Sequence, residues 1–145
     1  MANSRQRATD WLSFLLTQDL PFGEALRSQI AAGSVRELCE CGCEGFAFAV
    51  PVEAKVQRLQ DGAGVFYEVA FTSNYPEEID ILLFTDERGN LSWVDVTYGA
   101  SNIGPMPADI VPDSRIGGWP ATPTDLPAVP EPAADATQRW WEFWR

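Results

Sequence analysis

The chain reads as an α+β domain: two N-terminal helices packed on one face of an antiparallel meander of about five strands, followed by a proline-rich C-terminal extension. Three observations predict it. Apolar residues recur at helical spacing through the first thirty positions and then switch to a period of two. The β-rich runs are separated by short turn signals rather than by helical stretches. Eight of the eleven prolines stand at position 105 or later, so the regular part of the fold is expected to end near residue 99.

The elements follow in order. Ser4 or Thr9 is placed to cap a first helix whose Trp11, Leu12, Leu15 and Leu16 share a face. Asp19-Leu20-Pro21 breaks it, and Pro21 sits near the first turn of a second helix carrying Phe22, Leu26 and Ile30. Gly33 is the expected residue just past its end. Residues 35–43 and 46–52 read as strands, with Phe46, Phe48 and Val50 on one face. Residues 57–64 are polar and end in Asp61-Gly62-Ala63-Gly64, a turn signal. In the strand at 65–72, Val65, Tyr67, Val69 and Phe71 are expected to point one way. The last hairpin is the clearest: an almost continuous apolar run at 79–85, a turn Asp86-Glu87-Arg88-Gly89-Asn90, and a β-rich return at 91–98. Residues 100–136 read as extended chain and linker without regular sheet, and 137–145 as a separate Trp-rich segment. The expected organisation is therefore 1–99, 100–136 and 137–145.

Composition narrows the function classes. The chain has 145 residues, enough for one domain with a core of its own. Its formal net charge is −11, and Lys55 is the only lysine. Such a surface repels nucleic acid and anionic membranes and favours encounter with a basic protein. Acidity of this kind also serves solubility alone. There is no histidine, so Ser-His-Asp and Cys-His mechanisms and His-based zinc motifs have no place within this chain. The first apolar run, 11–16, is too short for a signal or membrane segment. With three cysteines, an odd number, the expectation is a cytoplasmic protein with reduced thiols.

Two local features stand out. Cys39, Cys41 and Cys43 would share a face if the segment is extended. Thiolates suit zinc, but three of them need a fourth ligand, and only a carboxylate such as Glu40 or Glu44, a water or a second chain could supply it. The alternative is that they pack as small buried hydrophobes. The string Cys39-Glu40-Cys41-Gly42-Cys43, followed by alternating Phe46, Phe48 and Val50 and by the hairpin at 81–98, resembles a pattern in small bacterial proteins in which a C-x-C-G-C segment opens a strand. The resemblance spans about residues 24–98 and implies no catalytic residue.

The second feature is the C-terminus, where Trp140, Trp141, Phe143 and Trp144 crowd into nine residues. If helical, it is apolar around most of its circumference. It then folds back on its own domain, anchors a protein partner through these four residues, or sits in a membrane interface. The acids Glu77, Glu78, Asp80 and Asp95 are expected on a solvated face.

Taken together, the sequence points to a non-enzymatic binding domain of inhibitor or immunity type that holds a basic protein, with no cofactor. Two alternatives are a thiolate metal protein built on Cys39, Cys41 and Cys43, with zinc as the metal, and a small enzyme working through carboxylates.

Overall fold

The computed structural model describes residues 4–39, 44–99, 107 and 109–120. Two helices precede six strands that form one antiparallel sheet.

The first helix, α1 (Arg5–Leu16), starts at Ser4, whose hydroxyl accepts from the Arg7 amide and so satisfies one orphan donor of the first turn. Ala8, Trp11, Leu12 and Leu15 are its buried stripe, as the spacing requires. The second helix, α2 (Gly23–Ala32), buries Ala25, Leu26 and Gln29. Gly33 closes α2 in extended rather than left-handed backbone. Glycine is needed there for space, because a Cβ would strike the Ala49 carbonyl and the Phe48 ring.

The strands are β1 (Ser34–Leu38), β2 (Phe46–Ala49), β3 (Gly64–Ser73), β4 (Ile79–Thr85), β5 (Leu91–Tyr98) and β6 (Pro112–Pro120). Their order across the sheet is β1-β2-β5-β4-β3-β6. The expected simple meander is thus corrected. β1 and β2 are neighbours in sequence order, as are β3, β4 and β5, but β2 pairs with β5, so the chain of 50–63 carries it past two strands to begin β3. Ala54, Val56 and Leu59 of that crossing pack on the core.

The largest departure is β6. Its proline content argues against sheet, yet residues 112–120 pair antiparallel with β3. Its two prolines stand at the first and last positions, where a missing donor does not break the ladder. Gly118 lets the strand lie close over Tyr67 and Val69, and at Gly117 a Cβ would press on the Trp119 ring. The approach to β6 is pinned by an amide clamp. The Val111 amide donates to Asn74 Oδ1, the Asn74 amide donates to the Val111 carbonyl, and the Tyr75 hydroxyl donates to Asp109.

The main core lies between the helices and one face of the sheet. Phe46, Phe48, Tyr67, Val69, Phe71, Ile79, Ile81, Leu83, Val94 and Val96 supply the sheet side. A bulge between Val65 and Tyr67 turns Val65 to the opposite face, so the expected common face for Val65 and Tyr67 is corrected. Among the described residues no helix is long and apolar enough to cross a membrane.

Candidate functional site

The second face of the sheet is where charge and apolar surface meet. In β4, alternation sends Ile79, Ile81 and Leu83 to the helices and Asp80, Leu82 and Phe84 the other way. In β5 the outward set is Trp93, Asp95 and Thr97. Register aligns these into rows. Ala47, Trp93, Phe84 and Val65 cross from β2 to β3 at one end of the sheet. The next row runs Asp95, Leu82, Glu68, Trp119 from β5 to β6, and the one after it Thr97, Asp80, Ala70, Gly117.

Three acids therefore sit on neighbouring strands, with Asp80 diagonal to both Asp95 and Glu68, about 7–8 Å from each by sheet geometry. No lysine or arginine stands in those two rows. Glu77 and Glu78 are exposed, as expected, whereas Asp80 and Asp95 are half-buried. Desolvation pushes the Asp95 carboxyl up to about 6. Desolvation, with the like charges of Glu68 and Glu78, does the same to Asp80. Glu68 is held by the Trp119 indole, whose Nε1 donates to Oε1 at 3.1 Å.

The helix side holds a different carboxylate. Glu44 is wholly buried, and its Oε1 accepts from Arg7 Nε and from Trp11 Nε1, both at 2.8 Å. Its Oε2 is buried without a hydrogen-bond partner. Arg7 also donates to the Ile110 carbonyl, tying α1 to the approach of β6. Gln29 is the other buried polar group of this side. Its amide nitrogen donates to the Gln57 carbonyl and to Asn90 Oδ1, while its oxygen accepts from the Leu91 amide. Neither burial is legible in the sequence, because a charged or amide side chain gives no apolar signal; the one local sign is that Gln29 stands a turn past Leu26 on α2.

No family model matches this chain, and no curated protein or solved structure matches it.

The predicted site residues fall as follows. Cys39 lies just past β1 and packs beside Ala47, Val65, Phe84 and Trp93 on the second face. Glu44, the described candidate for a fourth metal ligand, stands on the opposite face against α1. The sheet separates the two. The strand expected at 35–43 is corrected, since β1 ends at Leu38. Cys41 and Cys43 lie outside the described residues, as do Trp140, Trp141, Phe143 and Trp144. Among the described residues no cluster of potential metal ligands forms. A cleft of about 530 Å³ opens between the α1–α2 junction and residues 57–59, lined by Asp19, Phe22, Glu24, Arg27 and Arg58 among others. Asp80 and Asp95 do not line it.

Proposed function

We propose that the protein is a cytoplasmic binding domain of inhibitor or immunity type, which holds a basic partner protein against the acidic rows of its second sheet face. The observation that supports this reading most directly is the placement of Glu68, Asp80 and Asp95 on three neighbouring strands without a basic residue in their rows. Two of these carboxylates are held in ionisation-resisting surroundings. A cation brought against them relieves that cost, so a partner's lysine or arginine side chains gain more there than at a fully solvated acid. The general excess of 21 acidic over 10 basic residues adds long-range steering toward such a partner.

The test is native mass spectrometry of the protein isolated from its own cells, followed by the triple variant Glu68→Gln, Asp80→Asn, Asp95→Asn. The expected result is a complex with a basic protein that weakens with salt and is lost in the triple variant. A complex that the triple variant retains would overturn the assignment of the face. A stoichiometric metal, lost in Cys39→Ser and present without any partner, would favour the thiolate reading instead.

A further inference from the structure

We infer that β6 is a strap that opens as a unit from the edge of the sheet, hinged at Val111–Pro112, while the other five strands stay paired.

The first support is the contrast between how the chain is held just before β6 and how it is held along it. Three successive residues form a fixed post. Asp109 accepts from the Asn74 side-chain amide through its carbonyl and from the Tyr75 hydroxyl through its carboxylate. Ile110 is 1% exposed in the helix-side core, and its carbonyl accepts from Arg7 Nη2. The Val111 amide donates to Asn74 Oδ1 at 2.8 Å, and its carbonyl accepts from the Asn74 amide. From Pro112 onward burial stops. No residue of β6 is buried and seven of its nine are exposed, whereas β4 buries five of seven. The two large apolar side chains of β6, Ile116 and Trp119, are themselves exposed. What holds β6 is its backbone ladder and exposed polar contacts: the Ser114 amide on the Thr72 hydroxyl, and the Trp119 indole on Glu68. Such bonds are replaced by bonds to water at small net cost, and no side chain leaves a core when they break.

The second support is the ladder itself. Its register shifts twice, between Ala70 and Phe71 and between Phe71 and Ser73 of β3, and each shift adds one extra residue on the β6 side. An extra residue is left unpaired and disrupts the ladder around it. Four of the nine residues are proline or glycine. Pro112 and Pro120 bring no ladder donor, and Gly117 and Gly118 regain more chain entropy on release than other residues would. β3 does not depend on β6 for its own place. It pairs with β4 at seven positions and buries Val69 and Phe71 against the helices. The opposite edge is built otherwise: Arg5 of α1 donates to the Val35 and Arg36 carbonyls and so fastens β1 to a helix. On β6 the corresponding reach, from Arg115 to the Asp19 carbonyl, is a weak contact at 3.5 Å.

Opening has a defined consequence. It takes the Trp119 indole away from Glu68 and leaves alternate amides and carbonyls of β3 unpaired along a new sheet edge. The inference stands apart from the partner reading and holds whether or not a basic protein binds.

The experiment is native-state amide hydrogen exchange by NMR on the full chain, at two protein concentrations. The ladder amides of β6 are expected to exchange as one class, on the order of a hundredfold faster than those of β4 and β5 after correction for intrinsic rates. Amides of β3 point alternately to β4 and to β6, so they should split residue by residue into the slow and the fast class. The Val111 amide should exchange at least about tenfold more slowly than the β6 class, and Asn74→Ala should erase that difference. Ile81→Val acts on a core that the opened form keeps. It should speed exchange in β4 and β5 several-fold and leave the β6 class unchanged. Equal protection in β6 and β4, an unsplit β3, or a β6 class that speeds up with the core in Ile81→Val would overturn the inference. A β6 class that slows as protein concentration rises would also overturn it, in favour of a strand held against a second copy.

Discussion

The two faces of the sheet solve the same problem in different ways. The helix face is closed by elements that precede it in sequence, and the polar groups it swallows are tied to specific mates: Gln29 is bonded at both amide atoms, and Glu44 is met by Arg7 and Trp11. The second face carries a smaller apolar patch at one end and three acids beside it, two of them resisting ionisation because burial strips them of water. A face that spends its polar groups on internal pairing holds the fold together. A face that keeps charges desolvated and uncompensated stores free energy that a cation can recover. This difference is why the binding reading is placed on the second face rather than in the cleft beside α2.

The contrast can be broken most forcefully on the helix side. Phe46 has no exposure and stands at the centre of the main core, so Phe46→Ala should cost about 3–5 kcal/mol in urea unfolding. A loss below about 1 kcal/mol would mean that the helix-side core is not the principal one. Next comes the buried ion pair. Arg7→Ala leaves the Glu44 carboxylate with a single indole donor, and a loss of about 3 kcal/mol is expected. Double replacement with Glu44→Gln should recover part of it, because the orphaned charge goes with it.

On the second face the expected sign reverses. The Asp95 carboxyl has a folded pKa of about 6, above the ordinary value near 4 that it has in the unfolded chain. The native state therefore binds the proton more tightly between those two pH values. Its stabilising contribution is complete below about pH 4 and is lost as pH rises through about 6. Asp95→Asn removes that loss. The variant should be more stable than the parent at pH 8 by roughly 2 kcal/mol, with a flatter stability profile between pH 4 and 6, measured as thermal midpoint against pH. An unchanged profile would show that Asp95 is solvated after all. The smallest effect belongs to Trp119, which is 44% exposed and gives up one hydrogen bond to Glu68. Trp119→Ala should shift stability by about 1 kcal/mol or less in the same assay. A larger loss would show that the indole packs on β3 beyond its one hydrogen bond.

Much of the fold is determined by local pattern. The Ser4 cap, the Trp11–Leu15 stripe, the Phe46–Phe48 alternation and the hairpin bounds at 79–85 and 91–98 follow from side-chain period and turn chemistry, which act within a few residues. In that turn Asp86 Oδ1 accepts from the Arg88 and Asn90 amides and Gly89 takes a positive φ, as its sequence demands. The charge balance and the absence of histidine are likewise properties of the chain itself.

The rest was decided in three dimensions. That 112–120 joins the sheet depends on β3 having an open edge, since two prolines at strand ends and two glycines argue locally against a strand. That Glu44 and Arg7, thirty-seven positions apart, meet inside the core is invisible to any window of neighbouring residues. That Glu68, Asp80 and Asp95 form one acidic surface follows from register alone, because a slip of one residue would turn each carboxylate to the opposite face. Period and propensity act along the chain, whereas burial and charge compensation depend on which distant residues arrive alongside, and only the folded sheet settles that.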